Sequence, residues 1–441
     1  MKTQQFLLAL NSPLRVLMAV LVFAGCCFAG DSAQILYRFQ GSSDGYNPYS
    51  NLIWDQAGNL YGTTEYGGTS FYGEVFQLSP PSKAGALWKK TTLYSFTNTG
   101  DGARPTDGMI FDNSGNLYGT TSDSAAGGYG EIFQLTPPLT KGGAWREKVL
   151  YHFQGGTDGN SPRGGLISDE NGNLYGTTFN SVFELSPPAQ QGGAWTFTLV
   201  HELSGGLTDG KSSQAGLVRD LAGHLYGTTL WGGYEGNGFC GSIGCGTVFE
   251  VSPPATSGGA WTEQVIHFFG MGTDGFDPEG GLVLDAKGNL YGTTYSGGAA
   301  NSGTAFRLSP PSQAGGTWTE GIIHSFSYTL KDGAAPTATM IMDTAGNLYG
   351  TAMFGGTPCF FNGADYGCGV VFELSPAGGG SAEWNETVLY FFPRPYGNAR
   401  HPAASLLFDA VGNLYGTSAY GGVNACISQG EGCGTVFEIV R

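Results

Sequence analysis

An all-β fold made of seven four-stranded units is predicted by three features of the sequence. The segment Gly58-Asn59-Leu60-Tyr61-Gly62-Thr63-Thr64 recurs in close copies starting at Gly115, Gly172, Gly223, Gly288, Gly346 and Gly412, a period of 51 to 66 residues. Runs rich in Val, Ile, Thr, Tyr and Phe are bounded everywhere by Gly, Pro, Asn and Asp, and no window has a convincing helical period. The repeat continues almost to Arg441, so the 441 residues read as one cooperative array and not as several domains.

Each unit reads in the same order. In the third, Gly165-Leu166-Ile167-Ser168-Asp169 is a first short strand. A tight turn at Glu170-Asn171-Gly172-Asn173 launches the second, Leu174-Tyr175-Gly176-Thr177-Thr178, and a variable loop leads to the third, Ser181-Val182-Phe183-Glu184-Leu185. Ser186-Pro187-Pro188 ends that strand, because proline cannot donate to a ladder, and Gly192-Gly193-Ala194-Trp195 opens a fourth that closes at Leu203. Four antiparallel strands repeated seven times is the layout of a seven-bladed β-propeller. The chain begins with a fourth-type strand, Ile35 to Phe39, and ends with a third-type strand, Val436 to Ile439. The two are expected to share the last blade, so that the N-terminal strand closes the ring and removes exposed edges.

Composition fits a packed, exported domain. Gly 76 and Pro 21 are turn chemistry carried in register with the repeat, while 40% hydrophobic and 13% aromatic residues supply the core. The formal charge of −16 becomes −18 when the first thirty residues, which hold Lys2 and Arg15 and no acid, are set aside. With no basic stripe, nucleic acid is excluded as a partner.

Residues 1–30 read as a secretory signal peptide, with Lys2 and Arg15 ahead of the apolar run Val16 to Ala24, leaving a mature domain at 31–441. Cleavage after Ala29 is one expectation; lipid attachment at Cys26, in the lipobox-like Phe23-Ala24-Gly25-Cys26, is the other. The later sequence offers no second membrane segment, and an extracellular or periplasmic monomer is expected. Six further cysteines fall in local pairs, Cys240 with Cys245, Cys359 with Cys368 and Cys426 with Cys433, each just before the third strand of its unit. Three hairpin disulfides follow, each contributing about 2–3 kcal/mol. Zinc is the competing reading of paired cysteines, but no histidine lies near any of them in sequence, so no metal and no cofactor are expected.

The Asp-x-x-Gly-Asn-Leu-Tyr signal resembles the repeats of NHL-type propellers. The whole unit, Gly-Leu-Ile, then Asp-x-x-Gly-Asn-Leu-Tyr-Gly-Thr-Thr, then Gly-Thr-Val-Phe-Glu-Leu, is similar to that of bacterial choice-of-anchor tandem repeat proteins of the GloVer type, over essentially all of residues 31 to 441. The resemblance implies an exported repeat protein and supplies no catalytic residues.

Antiparallel order puts the connections between units and the second-to-third loops on one face. That face carries the Asp-Gly connections, among them Asp209, Asp274 and Asp332, and the cysteine-bearing loops with Trp231, Tyr234, Phe239, Phe354, Phe360, Phe361, Tyr366 and Tyr420. Aromatic rings on stapled loops offer stacking surfaces for a glycan or a protein ligand, or else pack on one another. Asp-Gly is first of all turn chemistry, as are the Asp55, Asp112, Asp169, Asp220, Asp285, Asp343 and Asp409 turns opposite. His201, His267 and His324 occupy the place of Tyr37, Tyr94, Tyr151 and Tyr390 in other units, which suits a packed amphipathic ring better than a catalytic base. A binding scaffold is therefore the leading expectation; a polysaccharide lyase or hydrolase at the mouth, and a passive surface component, are the alternatives.

Overall fold

In the computed structural model, residues 32–441 are described except 84–85, 125–127, 191, 234–239, 257, 271–272, 314, 362–363, 379–382, 395–396, 424–425 and 427–431. The expected signal peptide and Cys26 lie outside the described residues. Seven antiparallel sheets follow one another along the chain. The first, Ile53–Trp54, Leu60–Thr64, Glu74–Ser79 and Lys89–Ser95, sets the pattern, each strand pairing with the next in sequence. Five more sheets repeat it. In the seventh, Ser32–Arg38 lies antiparallel to the final strand, Thr435–Val440, and so takes the outer place that Lys89–Ser95 holds in blade 1. The fold is a seven-bladed β-propeller with four antiparallel strands per blade.

The glycine inside Leu-Tyr-Gly-Thr-Thr explains the repeat. Gly62 stands directly across from Phe76 on the third strand, and a Cβ there would lie 2.8 Å from the phenyl ring. The same clash, at 2.5–2.8 Å, awaits a side chain at Gly119, Gly176, Gly227, Gly292, Gly350 and Gly416, each against the phenylalanine of its own third strand. Only glycine leaves room for the ring to lie across the strand and reach the neighbouring blade. There it meets the apolar residue just past the preceding outer strand, edge to face in every phenylalanine pair but the tilted Phe326–Phe372. Phe96 meets Phe133, Phe153 meets Phe183, Phe269 meets Phe306, Phe326 meets Phe372 and Phe392 meets Phe437, with ring centres 5.0–5.3 Å apart. Leu203 packs in one cluster with Phe249 at the remaining interface of this series, and Phe39 of the leading strand meets Phe76 of blade 1 at 5.2 Å. The core is thus a belt of seven blade-to-blade contacts, and every residue in it is buried.

A second belt, of hydroxyls, runs beside the channel. The first threonine after the glycine donates to a carbonyl at the start of the next blade: Thr177 to Ala215, Thr228 to Gly280, Thr293 to Ala338, Thr351 to Ala404 and Thr417 to Ser50, at 2.9–3.4 Å. The turns opposite are held by their aspartates. Asp55 Oδ1 accepts the backbone N–H groups of Ala57 and Asn59, and Oδ2 accepts Asn59 Nδ2 and the Tyr61 hydroxyl. Burial works against its charge, but these donors outweigh it and hold the carboxyl below its usual range. In blade 4 His224 replaces the asparagine and brings Nδ1 to 2.8 Å from Asp220.

One expectation needs correction. The innermost strand spans only two residues, as in Ile167–Ser168, and not Gly165 to Asp169. The backbone just before it is committed to a neighbouring blade: Gly165 N–H donates to Asp107 at 2.5 Å, and a Cβ on Gly164 would collide with the Ala215 backbone.

Phe39→Ala should cost about 3–5 kcal/mol in urea unfolding, because it empties the contact between the chain's first strand and blade 1. Leu87→Ala, at a side chain 85% exposed, should change stability by less than about 0.5 kcal/mol.

Candidate functional site at the propeller mouth

Where the inner strands converge, the residues just ahead of them and just after the second strands enclose a cleft of about 630 Å³. All seven blades contribute to its wall. The side chains that could engage a ligand are Tyr49 and Glu65 from blade 1, Arg163 from blade 3, Gln214 from blade 4, and Glu279 and Tyr295 from blade 5. Glu65 and Tyr295 directly follow a second strand, and the other four are placed by a constant frame: a proline, in six blades of seven, and then a variable position three residues before the leucine or methionine that leads into the first strand. That position holds Tyr49, Thr106, Arg163, Gln214, Glu279, Thr337 and Ala403.

Beneath these lies a polar girdle that locks neighbouring blades. Asn51 Oδ1 accepts Ser405 N–H at 2.8 Å, and its Nδ2 donates to Asp107 Oδ1 at 3.0 Å. Asp107 also accepts the Gly108 and Gly165 N–H groups. Burial raises its pKa to about 6 against the pull of those two donors. Gly281 N–H donates to Thr339 Oγ1 at 2.8 Å. The Thr106 and Thr337 hydroxyls, by contrast, are buried without a protein partner.

The electrostatics of the cleft are those of acids whose ionisation burial opposes. Glu279 is pushed up to about 7, by burial first and by the Asp277 charge second, with Arg163 opposing. Glu65 is raised by burial, against Tyr66, Arg104 and Arg163. Arg163 therefore acts on both acids, and the site presents donors and acceptors side by side with two phenol rings. It can bind polar, hydroxyl-rich groups, and Glu279 can exchange a proton near neutral pH.

The residues singled out from sequence fall elsewhere. Trp231 pairs with Lys211 in a two-stranded ribbon and meets Phe179 edge to face at 5.4 Å. Tyr366 is 40% exposed, packs on Phe354 and Tyr328, and lines a separate groove of about 290 Å³ beside the blade 6 disulfide. Tyr420 alone among the described candidates touches the mouth, its hydroxyl 3.1 Å from that of Tyr49. Tyr234 and Phe239 lie outside the described residues, as do the side chains of Phe360 and Phe361, whose backbones form a ribbon with Ala364–Asp365. The three disulfides join Cys240 to Cys245, Cys359 to Cys368 and Cys426 to Cys433, so the folded domain suits an oxidising environment.

The Asp-Gly aspartates serve their own connections. Asp44, Asp101 and Asp158 accept the hydroxyls of Tyr37, Tyr94 and Tyr151 at 2.8–3.0 Å. Asp209, Asp274 and Asp332 stand 3.3–3.4 Å from Nε2 of His201, His267 and His324. Tyrosine and histidine alternate because either ring carries a polar atom to the same carboxylate. These histidines stay on separate outer strands and do not converge on the mouth.

Sequence reading missed Arg163, Glu279, Glu65 and Tyr49. For Arg163, Glu279 and Tyr49 the signal was present as the most variable position inside a repeated Pro-x-x-x-Leu frame, whereas Glu65 lies outside it, directly after a second strand. Glu279 gives a signed pH effect. An unfolded chain releases this proton near 4.5 and the folded state holds it to about 7, so its stabilising share is complete below about 4.5 and is lost as pH rises through about 7. Glu279→Gln should therefore melt progressively higher than wild type, gaining about 1–3 °C between pH 5 and pH 8. A difference that is flat or reversed across that range contradicts the assignment.

Among the described residues no helix is long and apolar enough to cross a membrane. Among solved structures, the chain is similar to virginiamycin B lyase from Staphylococcus aureus, at 13% identity and a TM-score of 0.52, covering 93% of this chain and 99% of that one. It is also similar to PorZ, a surface component of the type-IX secretion system of Porphyromonas gingivalis, at 14% identity and a TM-score of 0.50, covering 91% of this chain and 47% of that one. At such identities these likenesses speak for the propeller fold alone. No curated protein matches the sequence. The model of the Gloeobacter/Verrucomicrobia repeat matches residues 24–182 and 180–360, and with its seven-bladed repeat architecture the chain belongs to that family.

Proposed function

We propose that this is an exported binding propeller that holds a neutral glycan segment in its central mouth, on the face that carries the disulfide-bearing loops. The observation that carries the reading is the cleft itself: one polar or aromatic side chain after another, drawn from separate blades, around Arg163 and two acids whose pKa burial raises. Sugar hydroxyls need donors and acceptors at close spacing and an apolar face for the ring. Arg163, Gln214, Glu65 and Glu279 supply the first, and Tyr49 and Tyr295 the second. Export rests on the signal-peptide pattern of residues 1–30 and is supported by the three disulfides. The loop aromatics act as rim contacts at most, since Trp231 and Tyr366 are engaged with neighbouring rings.

A second reading, as a lyase or hydrolase acting on the same ligand, is favoured by Glu279 alone, because a proton-transfer group works best when its pKa lies near the working pH. Release of products from soluble polysaccharides, abolished by Glu279→Gln, would establish it in place of simple binding.

For the binding reading, the mature chain should retain oligosaccharides on an array of neutral and uronate-containing glycans. Arg163→Ala should weaken the best of these at least tenfold by calorimetry, and Trp231→Ala should leave it within about twofold. Capture that ignores Arg163 but depends on Trp231 or Tyr366 would move the site to the rim and overturn the assignment.

A further inference from the structure

We propose that the interfaces between blades 3 and 4, 4 and 5, and 5 and 6 each bind one divalent transition-metal ion, zinc fitting best, through one histidine, one aspartate and one glutamate. The three sets are His201, Asp209 and Glu263; His267, Asp274 and Glu320; and His324, Asp332 and Glu386. In each the histidine comes from an outer strand, the aspartate from the connection that follows it, and the glutamate from the outer strand of the next blade. The inference is independent of the mouth and its ligand, and it departs from the sequence-based expectation of no metal.

Geometry is the first support. One ligand atom from each residue can be chosen so that all three lie within 4.8 Å of one another. His267 Nε2 is 3.3 Å from Asp274 Oδ2 and 3.5 Å from Glu320 Oε1; His324 Nε2 is 3.3 Å from Asp332 Oδ1; His201 Nε2 is 3.4 Å from Asp209 Oδ1. These separations exceed a good hydrogen bond, yet match the edge of a zinc tetrahedron with bonds near 2.1 Å, about 3.4 Å. Glu386 stands off slightly, at 3.9 Å from His324. The histidine side chains are 17–25% exposed, which leaves a way in and a fourth position for water.

Unmet bonding is the second support. Oε1 of Glu263, of Glu320 and of Glu386 is buried with no hydrogen-bond partner, as is Nε2 of His267. The aspartates are already oriented by their loops. Asp209 accepts Ser204 N–H and Oγ–H, Asp332 accepts the Ser327 hydroxyl, and Asp274 and Asp332 each accept the N–H of the following glycine at 2.7 Å. Such outer partners are what fix metal ligands in place.

The chain contains its own comparisons. At the equivalent position between blades 7 and 1, where the next blade supplies Lys90 in place of glutamate, the ammonium sits 3.1 Å from Asp44 Oδ1 and only 5% exposed. A cation is thus accommodated there by the fold. Where the next blade supplies Phe197 or Ala33, the histidine position is Tyr151 or Tyr390. All three histidines face a glutamate; Tyr94 faces Glu147, and that interface, lacking an imidazole, is not a site. Two carboxylates and a neutral imidazole carry two negative charges, which a divalent ion neutralises.

Tyrosine is the natural replacement at these positions, so His201→Tyr, His267→Tyr and His324→Tyr preserve the fold. Chelator-treated mature protein should take up three equivalents of zinc by calorimetry and elemental analysis after gel filtration. Each substitution should remove one equivalent, and the triple variant should bind none. Cobalt should give the intense visible bands of a four-coordinate site in wild type only, and zinc should raise the melting temperature of wild type but not of the triple variant. Failure of wild type to retain zinc supplied in tenfold excess would overturn the proposal, as would undiminished uptake by a correctly folded triple variant.

Discussion

In each blade a phenylalanine on the third strand lies over a glycine on the second, and everything else in the fold is arranged round that contact. The glycine must lack a side chain, because a Cβ would sit 2.5–2.8 Å from the ring. The ring, given that space, reaches past its own sheet to the outer strand of the preceding blade. Burying one phenylalanine contributes about 2–3 kcal/mol, and an edge-to-face pair adds about 0.5–1.5. One blade has no partner for its ring. Seven in sequence supply one another, and Phe39 on Phe76 joins the chain's first strand to blade 1.

The belt of ring contacts and the two proposed sites lie at different radii. Near the axis, backbones approach so closely that small residues dominate and inter-blade hydrogen bonds replace strand pairing, which shortens the first strand to two residues. The position three residues before the leucine or methionine ahead of each first strand escapes that pressure, and it is there that Tyr49, Arg163, Gln214 and Glu279 enter the mouth, joined by Glu65 and Tyr295 from just after second strands. Farther out, the Asp-Gly connections are free to vary the ring they hold, tyrosine or histidine, and the residue they face. The proposed ligand site at the axis and the proposed ion sites between outer strands thus draw on variation at two different places in one unchanging frame.

Much of this was legible in the sequence because it is repeated. Asp-x-x-Gly-Asn-Leu-Tyr announced both a turn and a strand, and the folded turn accounts for its polar letters, since Asp55 takes four donors from Ala57, Asn59 and Tyr61. The cysteine pairs were readable from their short spacing. The mouth was not, because its residues come from blades up to several hundred positions apart and share no type; only ring geometry brings Tyr49 beside Tyr420. For the loop aromatics the sequence left stacking on a ligand and packing on one another both open, and the fold shows ring contacts for Trp231 and Tyr366, with Tyr366 still 40% exposed. The histidines were rightly read as packed against their neighbours, while the glutamate facing each of them belongs to the next blade and could not be anticipated from one unit.

The contact between ring and glycine can be isolated by a double-mutant cycle at Gly292 and Phe306, where the Cβ clearance is 2.5 Å. Gly292→Ala alone should destabilise by more than about 2 kcal/mol in urea unfolding, and the same change in a Phe306→Leu background should cost at least about 1 kcal/mol less, since the smaller side chain no longer occupies the space above the strand. Strictly additive losses, or a Gly292→Ala variant as stable as wild type, would mean that the glycine is retained for some other reason and that the ring does not organise the blade.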